Sequence, residues 1–321
     1  MRVARSTTTH EVVVEELPDP RPAPGEVVCR VLACGVCGSD VSDGYVARKL
    51  PCVLGHEVVG EVLEIGTGVA SVRRGDRVVV HHHAPCGACR TCLRGHETLC
   101  AQYRATKLAP GGFAEQVLVE AALVPELLTL GTLDPVAATF VEPLGCVLRA
   151  LDRAGLQAGD ELLVVGAGSN GLLAIAAARA RGATAVWIRE PRDERRALAE
   201  SWGATVHDDA LVDVAFLTTA SDDAITSAAG ALGPGGALCL YATTKPGAAL
   251  GVDAELLFLR ELTICSSWSA GPADMRAAYE LLASGTIDPL PLVTHRLGLD
   301  ETARALDLQR RGEAIKAVVL P

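Results

Sequence analysis

The sequence predicts an α/β protein in which a mainly antiparallel, barrel-like β domain is joined to a doubly wound parallel sheet. The first third of the chain is rich in β-branched residues, glycine and proline, which is typical of short strands connected by tight turns. From about residue 134 onward, apolar strands alternate with Ala/Leu-rich helical segments, as in a parallel sheet covered by helices on both faces. A chain of 321 residues is long enough for two such domains.

The elements follow from these patterns in chain order. Turn signals in the first third separate three predicted strands, Val27–Leu32, Val58–Ile65 and Arg77–His81. The alternating region contains four predicted strands and two helices, namely Glu161–Val165, Gly171–Arg181, Ala185–Arg189, Glu194–Trp202, Val212–Leu217 and Ala237–Tyr241. The last part of the chain is predicted to form two helices and a final strand, namely Ala273–Ser284, Glu301–Gln309 and Ala317–Leu320.

Composition and charge exclude several classes of function. A formal net charge of −10 and an aromatic content of 3% are unsuited to a surface that follows phosphates and stacks on bases, so no nucleic-acid partner is expected. The uncharged run from Leu162 to Ala178 is short for a bilayer and is interrupted by glycines, which argues against a membrane span. The N-terminus has no secretory pattern, and we therefore expect a soluble, cytoplasmic protein whose 11 cysteines stay reduced.

Four cysteines lie within fifteen residues, in the spacing C-x2-C-x2-C-x7-C. Four thiolates can surround Zn²⁺ in a closed tetrahedron, with Zn–S distances of about 2.3 Å and no position left for water. Cysteines in a reduced compartment point to metal binding rather than to disulfides. The spacing therefore predicts a structural zinc site, which pins a loop without a core of its own, formed by Cys86, Cys89, Cys92 and Cys100.

A second, open metal site is suggested upstream, where Cys34-Gly-Val-Cys37-Gly-Ser-Asp40 is followed by Gly55-His56-Glu57. A catalytic zinc uses about three protein ligands and keeps one position free. Cys37 can supply a thiolate and His56 an imidazole, and the third ligand could be Glu57 or Glu142. The three histidines at positions 81–83 are interpreted as a strand end and a turn, since neighbouring strand residues point to opposite faces.

A dinucleotide-binding loop is predicted where the apolar strand Glu161–Val165 runs into Gly166-Ala-Gly168-Ser169-Asn170-Gly171 and a helix. In this pattern, Gly166 makes the tight turn, Gly168 lets the backbone approach a pyrophosphate, and Gly171 lets the helix pack close to the strand. The helix N-terminus offers unpaired N–H groups to the phosphates.

An acidic residue, Glu190, ends the next strand, 19 positions after Gly171. A carboxylate at this place can accept hydrogen bonds from the adenosine ribose hydroxyls, which favours NAD. Arg189 and Arg192 flank it and could favour the 2′-phosphate of NADP, so NADP stays an alternative. Arg195, which follows in the next helix, is included among the candidate cofactor-binding residues.

Taken together, these segments resemble the zinc-dependent medium-chain alcohol dehydrogenases, especially the sorbitol (polyol) and threonine dehydrogenase branch. Besides the motifs above, the matching segments are Arg-Gly-Asp-Arg-Val (74–78), Pro-Gly-Gly-Phe-Ala-Glu (110–115), Glu-Pro-Leu (142–144), Leu-Gly-Pro-Gly-Gly (232–236) and Val-Thr-His-Arg (293–296). The resemblance implies a GroES-like catalytic domain over residues 1–140 with the zinc lobe at 86–100, a Rossmann domain over 141–272, a C-terminal return to the catalytic domain over 273–321, and an active site between the domains.

The resemblance also implies roles for individual residues. Cys37 and His56 match zinc ligands, Glu142 stands at the family's third-ligand position, and Glu57 is the alternative ligand in the sorbitol dehydrogenase branch. Ser39 matches the hydroxyl that passes on the substrate proton. The chain departs from the family at Ser42, where many members carry a histidine that completes the proton relay; Asp43 or a water could substitute.

The expected function is hydride transfer between NAD(P) and a secondary alcohol or ketone of the polyol, cyclitol or amino-alcohol type, with two zinc ions per chain. A bound zinc would polarise the alcohol oxygen and lower its pKa. Reduction of an activated C=C bond is the first alternative, because it needs no relay histidine. A non-catalytic dinucleotide sensor is the second, although such a protein would need neither Cys37 nor His56. The family resemblance implies a homodimer or a homotetramer.

Overall fold

The computed structural model describes residues 1–219, 221–242 and 247–321. The chain divides into two compact units. One unit, here called the β unit, comprises Met1–Pro143 and Gly271–Pro321, and the other, the parallel-sheet unit, comprises Leu144–Ala270.

The N-terminal part of the β unit consists mainly of short strands. These are β1 (Arg2–Ser6), β2 (Val12–Glu16), β3 (Val27–Gly35), β4 (Cys52–Val53), β5 (Glu57–Ile65), β6 (Arg77–Val80), β7 (Leu108–Ala109), β8 (Gln116–Val119) and β9 (Leu128–Thr129). Its helices are short, namely α1 (Asp43–Val46), α2 (Arg90–Leu93), α3 (Ala101–Ala105), α4 (Pro135–Ala138) and the start of α5 (Val141–Ala154), with 3₁₀ turns at Gly38–Val41, Glu97–Leu99 and Val124–Glu126.

The parallel-sheet unit alternates strands and helices after α5. The elements are β10 (Glu161–Val165), α6 (Ser169–Ala180), β11 (Ala185–Arg189), α7 (Asp193–Ser201), β12 (Thr205–Val206), β13 (Val212–Leu217), α8 (Asp222–Gly230), β14 (Leu232–Leu240), α9 (Ala254–Leu259) and β15 (Thr263–Ser266). The chain then returns to the β unit with α10 (Pro272–Ala283), β16 (Val293–Gly298), α11 (Thr302–Arg310) and β17 (Lys316–Leu320), and with 3₁₀ turns at Leu290–Leu292 and Leu299–Glu301.

The main sheet of the β unit brings distant parts of the chain side by side. Its strand order is β16-β17-β3-β5-β6-β9, with β8 also paired to β3 and β7 to β8, and a smaller sheet has the order β2-β1-β4. The antiparallel register pairs Gly35 with Glu57, and the C-terminal β17 lies on the other side of β3, where Val318 pairs with Gly35. The end of β3 therefore lies between the start of β5 and the last strand of the chain.

The core of the β unit explains why its strands are rich in β-branched residues. Val27, Val31, Val58, Val78 and Val117 are buried in one apolar cluster. β-branched side chains pack well on pleated strands, and burying each one contributes about 1.5–3 kcal/mol. This cluster stabilises the strands from which the candidate site residues emerge.

The parallel-sheet unit has the strand order β12-β11-β10-β13-β14-β15, with every neighbouring pair parallel. Counted along the unit, this is the order 3-2-1-4-5-6 of the dinucleotide-binding fold, in which ligands bind at the carboxyl ends of the strands where the order reverses. The reversal lies between β10 and β13. The loop after β10 contains Gly166, Gly168 and Gly171.

The predicted fold class is confirmed: the chain combines a six-stranded, doubly wound parallel sheet with a second, mainly antiparallel sheet. The ends of some strands differ by a few residues from the predicted ends. β3 continues to Gly35, β6 ends at Val80 before the histidines, and β14 begins at Leu232. Among the described residues, no helix is long and apolar enough to cross a membrane, and the uncharged run at 162–178 is divided between β10 and α6.

Candidate active site

The open metal site predicted from the sequence is assembled at the N-terminal end of β5. Cys37 precedes the 3₁₀ turn Gly38–Val41, His56 precedes β5, and Glu57 is its first residue. One ligand atom from each of Cys37, His56 and Glu57 lies within 4.8 Å of the other two. Glu142 is buried in the first turn of α5, but the group of mutually close ligand atoms among the described residues does not include it.

A buried carboxylate, Asp40, orients this cluster. Asp40 Oδ1 lies 3.5 Å from His56 Nδ1, and Asp40 Oδ2 accepts a hydrogen bond from the backbone N–H of Cys37 at 3.0 Å. Burial raises the pKa of Asp40, but the attraction of His56 and the backbone N–H groups of Cys37 and Gly55 outweigh burial, so the pKa is lowered. A carboxylate on Nδ1 leaves Nε2 of His56 available for a metal, as in many metal-ligating histidines.

Glu57 forms an ion pair with Lys316, the first residue of the C-terminal strand β17. Both side chains are almost completely buried. Burial lowers the pKa of Lys316, but the negative charges of Glu57, Cys37 and Glu142 outweigh it, and the pKa is raised. A cation therefore sits beside the candidate ligands and balances their negative charge.

Gly35 makes this arrangement possible. A Cβ atom at Gly35 would lie 1.9 Å from Glu57 Oε2 and 2.9 Å from Lys316 Cε, so any side chain here would displace the ion pair. Glu57 Oε1, the other carboxylate oxygen, is buried and has no hydrogen-bond partner. A buried acceptor without a partner is costly, and a divalent cation between Cys37, His56 and Glu57 would satisfy it.

The residues predicted for proton transfer lie in the same part of the chain. Ser39 is half-buried in the 3₁₀ turn that follows Cys37, and Ser42 ends that turn, with its N–H donating to the Ser39 carbonyl at 3.2 Å. The exposed Asp43 lies 3.6 Å from Nε2 of His10. A carboxylate and a histidine therefore stand next to the position where the relay histidine is missing.

The four-cysteine lobe has the geometry of a closed tetrahedral site. The Sγ–Sγ distance is 3.5 Å for Cys89–Cys92, 3.6 Å for Cys86–Cys100 and 4.0 Å for Cys86–Cys92. The backbone nitrogen of Cys89 also lies 3.3 Å from Cys86 Sγ. Four sulfurs at about 2.3 Å from one zinc are about 3.8 Å apart, so these distances fit. No disulfide joins any of the cysteines.

The glycine loop is shaped for a phosphate group. Gly166 has a φ of +99°, and a Cβ there would lie 2.4 Å from Thr218 Oγ1, whereas a Cβ at Gly171 would lie 2.0 Å from the Gly166 carbonyl oxygen. Apart from its chain neighbours, no described residue has an atom within 4 Å of a Cβ placed on Gly168, which leaves space on this face of the loop. The hydroxyl of Ser169, at the first position of α6, is buried without a hydrogen-bond partner.

The acidic residue after β11 contacts the glycine loop directly. Glu190 Oε2 accepts a hydrogen bond from the Ala167 N–H at 2.8 Å, and Oε1 accepts one from the Arg192 N–H at 3.0 Å. Arg195 is half-buried beside it, and burial followed by repulsion from Arg192 lowers the pKa of Arg195. Asn170 lies half-buried in the first turn of α6.

One of the two arginines considered for a 2′-phosphate is occupied elsewhere. Arg189 donates to the carbonyl and hydroxyl of Ser227 at 2.8 and 2.7 Å, and its guanidinium lies 2.9 Å from His207 Nδ1. These contacts hold Arg189 to α8. Of the flanking arginines, Arg192 is therefore the one that stays close to Glu190.

Known proteins resemble the chain over its whole length. The model of the alcohol dehydrogenase GroES-like domain matches residues 23–128, and that of the zinc-binding dehydrogenase matches residues 171–284. A sorbitol dehydrogenase of Bacillus subtilis is 30% identical, covering 100% of this chain and 97% of that protein. An L-threonine 3-dehydrogenase of Pyrococcus horikoshii is 34% identical, covering 95% of this chain and 94% of that protein.

The chain belongs to the zinc-dependent medium-chain alcohol dehydrogenase family.

Solved structures agree with this family. A structure described as a zinc-binding dehydrogenase from Sinorhizobium meliloti 1021, bound to NADP, has a TM-score of 0.89 at 28% identity and covers 100% of this chain and 99% of that one. The predicted family, enzyme class and cofactors, two zinc ions and NAD(P), are confirmed. This medium-chain dehydrogenase is thus a zinc-dependent NAD(P) alcohol dehydrogenase.

Asp40 and Lys316 contact the candidate zinc ligands, and the sequence interpretation missed both. Asp40 belongs to the Cys34–Asp40 motif, and its position beside the cysteine ligand was a usable signal. Lys316 had no such signal, because it lies in an apolar terminal segment 259 residues from Glu57. The histidines at 81–83 belong to neither candidate metal group among the described residues, although His82 packs 4.9 Å from the His56 ring.

Proposed function

We propose that this dehydrogenase transfers hydride between NAD and a secondary alcohol or ketone of the polyol, cyclitol or amino-alcohol type. One observation carries the proposal: Cys37, His56 and Glu57 present three converging ligand atoms rather than four. A three-residue set leaves a coordination position for substrate, whereas the lobe at 86–100 offers four thiols and leaves none. The relatives named as sorbitol and threonine dehydrogenases support this choice of substrate class.

The geometry supports the roles that we propose for the candidate metal ligands. We assign Cys37, His56 and Glu57 as ligands of the catalytic zinc. Glu142 is assigned as a buried acid close enough to raise the pKa of Lys316. The structural zinc would be held by the thiols of Cys86, Cys89, Cys92 and Cys100. When bound, the catalytic zinc supplies a Lewis acid that makes an alcohol more acidic and a carbonyl more electrophilic. Asp40 keeps the His56 ring in one orientation, and Lys316 balances the charge of Glu57.

The remaining site residues handle the proton and the cofactor. Ser39 is proposed to accept the substrate proton, and Asp43 with His10 is proposed to take the place of the relay histidine that Ser42 replaces. The pyrophosphate is proposed to bind to the glycine loop and to the N-terminus of α6. The loop contributes its backbone at Gly166, Gly168 and Gly171, and the helix contributes Ser169 and Asn170. Glu190 is proposed to bind the adenosine ribose and Arg195 to border the same pocket.

The domain roles complete the proposal. Residues 1–140 and 273–321 are proposed to form the catalytic domain, and residues 141–272 the NAD-binding domain. Assembly as a homodimer or homotetramer remains a prediction from the family.

The decisive test is Cys37→Ala, assayed with sugar alcohols, cyclitols and amino alcohols by NADH formation. The wild type should oxidise members of this panel and contain two zinc ions per chain. The variant should lose at least about 10³-fold in kcat and contain one zinc, because the Lewis acid is gone while the lobe keeps its metal. Cys29→Ala, which removes a buried thiol of the core, is the matched control and should keep both zinc ions.

Retained turnover in Cys37→Ala would contradict the Lewis-acid assignment. Reduction of an activated C=C bond by that variant would then favour the alternative reaction, which needs hydride delivery without an alkoxide. A wild type that binds NAD but neither oxidises any alcohol of the panel nor reduces an activated C=C bond would favour the non-catalytic sensor.

A further inference from the structure

The β unit contains a cavity of about 500 Å³ next to the candidate zinc site. His56 and Asp40 form part of its wall, together with residues 54–55 and 110–111. Cavities of this size accommodate small metabolites. All of its lining residues belong to the β unit, so the cavity is built by one compact part of the chain.

The wall of this cavity is strongly cationic, although the protein as a whole carries a formal net charge of −10. Four basic side chains line it, namely Arg5, Lys49, Arg104 and Lys107. Among the residues that the structure describes, Asp40 is the only carboxylate in the lining, and it is buried and engaged with His56 and with backbone N–H groups. The cavity thus concentrates positive charge in a protein that is otherwise acidic.

Two of these four side chains, Lys49 and Lys107, have no carboxylate partner among the described residues. Arg5 is paired with Glu15, and Lys49 contacts the Tyr45 hydroxyl, which carries no charge. Neither Lys49 nor Lys107 forms an ion pair with any residue in the described ranges 1–219, 221–242 and 247–321. Both lysines are exposed to the cavity solvent, so an anion could reach them without displacing a carboxylate.

Two histidines of the cavity lining pack against each other, and one of them packs next to the candidate ligand His56. The His82 ring is 4.9 Å from the His56 ring and 4.2 Å from the His83 ring, and both His82 and His83 line the cavity. The pKa of His83 is lowered to about 4, mainly by burial, with repulsion from His56 and Lys49 contributing. His82 Nδ1 is buried and has no hydrogen-bond partner.

We propose that the substrate carries an anionic group, a phosphate or a carboxylate, which binds Lys49 and Lys107 while its reacting hydroxyl lies at the Cys37–His56–Glu57 cluster. The inference rests on the proposed function and narrows its substrate class to charged polyols and hydroxy or amino acids. Like-signed charges in a cleft raise the local concentration of an oppositely charged substrate, and Lys provides point-charge contacts to either anion. The two lysines act here as specificity determinants.

The test compares each neutral-end substrate with a counterpart that carries an anionic group at the same end: sorbitol with sorbitol 6-phosphate, sorbitol with gluconate, and threoninol with threonine. We expect the wild type to show at least about a tenfold higher kcat/KM for a charged member, and this preference should fall as ionic strength rises. A phosphate-only preference and a carboxylate-only preference each support the proposal and identify which anion is used.

The variants test the lysines themselves. Lys49→Met/Lys107→Met should raise KM for the preferred anion about tenfold, with kcat and the KM for sorbitol nearly unchanged, because exposed charge contacts are individually modest. Lys107→Glu should raise KM further. Calorimetric binding of the preferred anion should weaken by the same factor. Arg73→Met, which removes an exposed charge outside the cavity lining, is the matched control and should behave as the wild type.

Two results would overturn the proposal without touching the proposed function: equal kcat/KM within every pair, or an anion preference that the lysine variants retain. Failure of the wild type to oxidise any member of any pair, charged or neutral, would instead remove the proposed function on which the inference rests.

Discussion

At the scale of single residues, the buried pair Lys316–Glu57 is the most consequential feature of the site. Its members are 259 residues apart and almost completely buried. Taking two charges out of water is expensive, and only their mutual attraction offsets the cost. Lys316 therefore holds the Glu57 carboxylate in place. A carboxylate in a fixed position is what the open metal site needs if Glu57 is one of its ligands.

Replacing Lys316 with methionine should destabilise the zinc-depleted protein by about 3–5 kcal/mol, because Glu57 would stay buried without its partner. The measurement is denaturant unfolding in the presence of a chelator. Lys316→Met/Glu57→Gln should recover most of the loss, since neither charge remains. A single variant as stable as the wild type would mean that water or a conformational change already solvates Glu57.

His81 gives the protein a pH-dependent contribution to stability. It is buried beside Tyr103, with 3.4 Å between Tyr103 Oη and His81 Nε2, and burial lowers its pKa to about 3, with repulsion from His83 adding to the effect. The unfolded chain binds this proton near pH 6.5, whereas the folded chain binds it only near pH 3. Stability is therefore unaffected above about pH 6.5 and falls as pH decreases from about 6.5 towards 3.

In His81→Gln, the free energy of unfolding should fall less steeply as the pH decreases below about 6.5. The slope should be smaller than that of the wild type by up to about 1.4 kcal/mol per pH unit. The measurement is the difference in unfolding free energy between the two proteins at several pH values, since other acid-sensitive groups, including the zinc ligands, cancel in the difference. Parallel curves between pH 6.5 and 4 would show that His81 is already protonated in the folded protein.

At the scale of elements, short motifs were predicted well and their surroundings were not. The segment β10–loop–α6 was expected from one apolar strand and three glycines, and it folds as a local unit in which Gly171 packs against the Gly166 carbonyl. The contacts of Arg189 were not predictable, because its partners Ser227 and His207 lie in α8 and in the loop after β12. Its removal from the ribose region weakens the argument for NADP.

The link between β11 and the glycine loop makes Glu190 a test of cofactor choice. Glu190→Ala should lower kcat/KM for NAD about tenfold or more and raise the NADP/NAD ratio, because a charged acceptor for the ribose is lost. Glu190→Gln is the matched variant: it keeps an acceptor for the Ala167 N–H but removes the repulsion of a 2′-phosphate. Unchanged NAD/NADP selectivity in both variants would remove Glu190 from cofactor recognition.

At the scale of the whole molecule, the two metal sites are predicted to contribute differently. A chelator should first abolish activity with little change in Tm, because the three-residue site is open, and should lower Tm only when the lobe loses its zinc. The measurement is zinc content, activity and Tm along one chelation series. Cys100→Ala is the companion variant and should lower Tm by several degrees while keeping one zinc. Simultaneous loss of activity and stability would contradict separate roles.

The fold class, the family, the four-thiol lobe and the glycine loop after β10 could be predicted from the sequence alone, because each depends on residues close together in the chain whose spacing or periodicity is set by local geometry. The folded chain was needed to see that Glu57, and not Glu142, joins Cys37 and His56 in one group of close ligand atoms, that Lys316 pairs with Glu57, and that lysines from separate loops share one cavity. These contacts depend on strand register and on the packing of segments far apart in sequence. Such packing is decided by the burial of the whole core, and it leaves no periodic trace around the residues that it brings together.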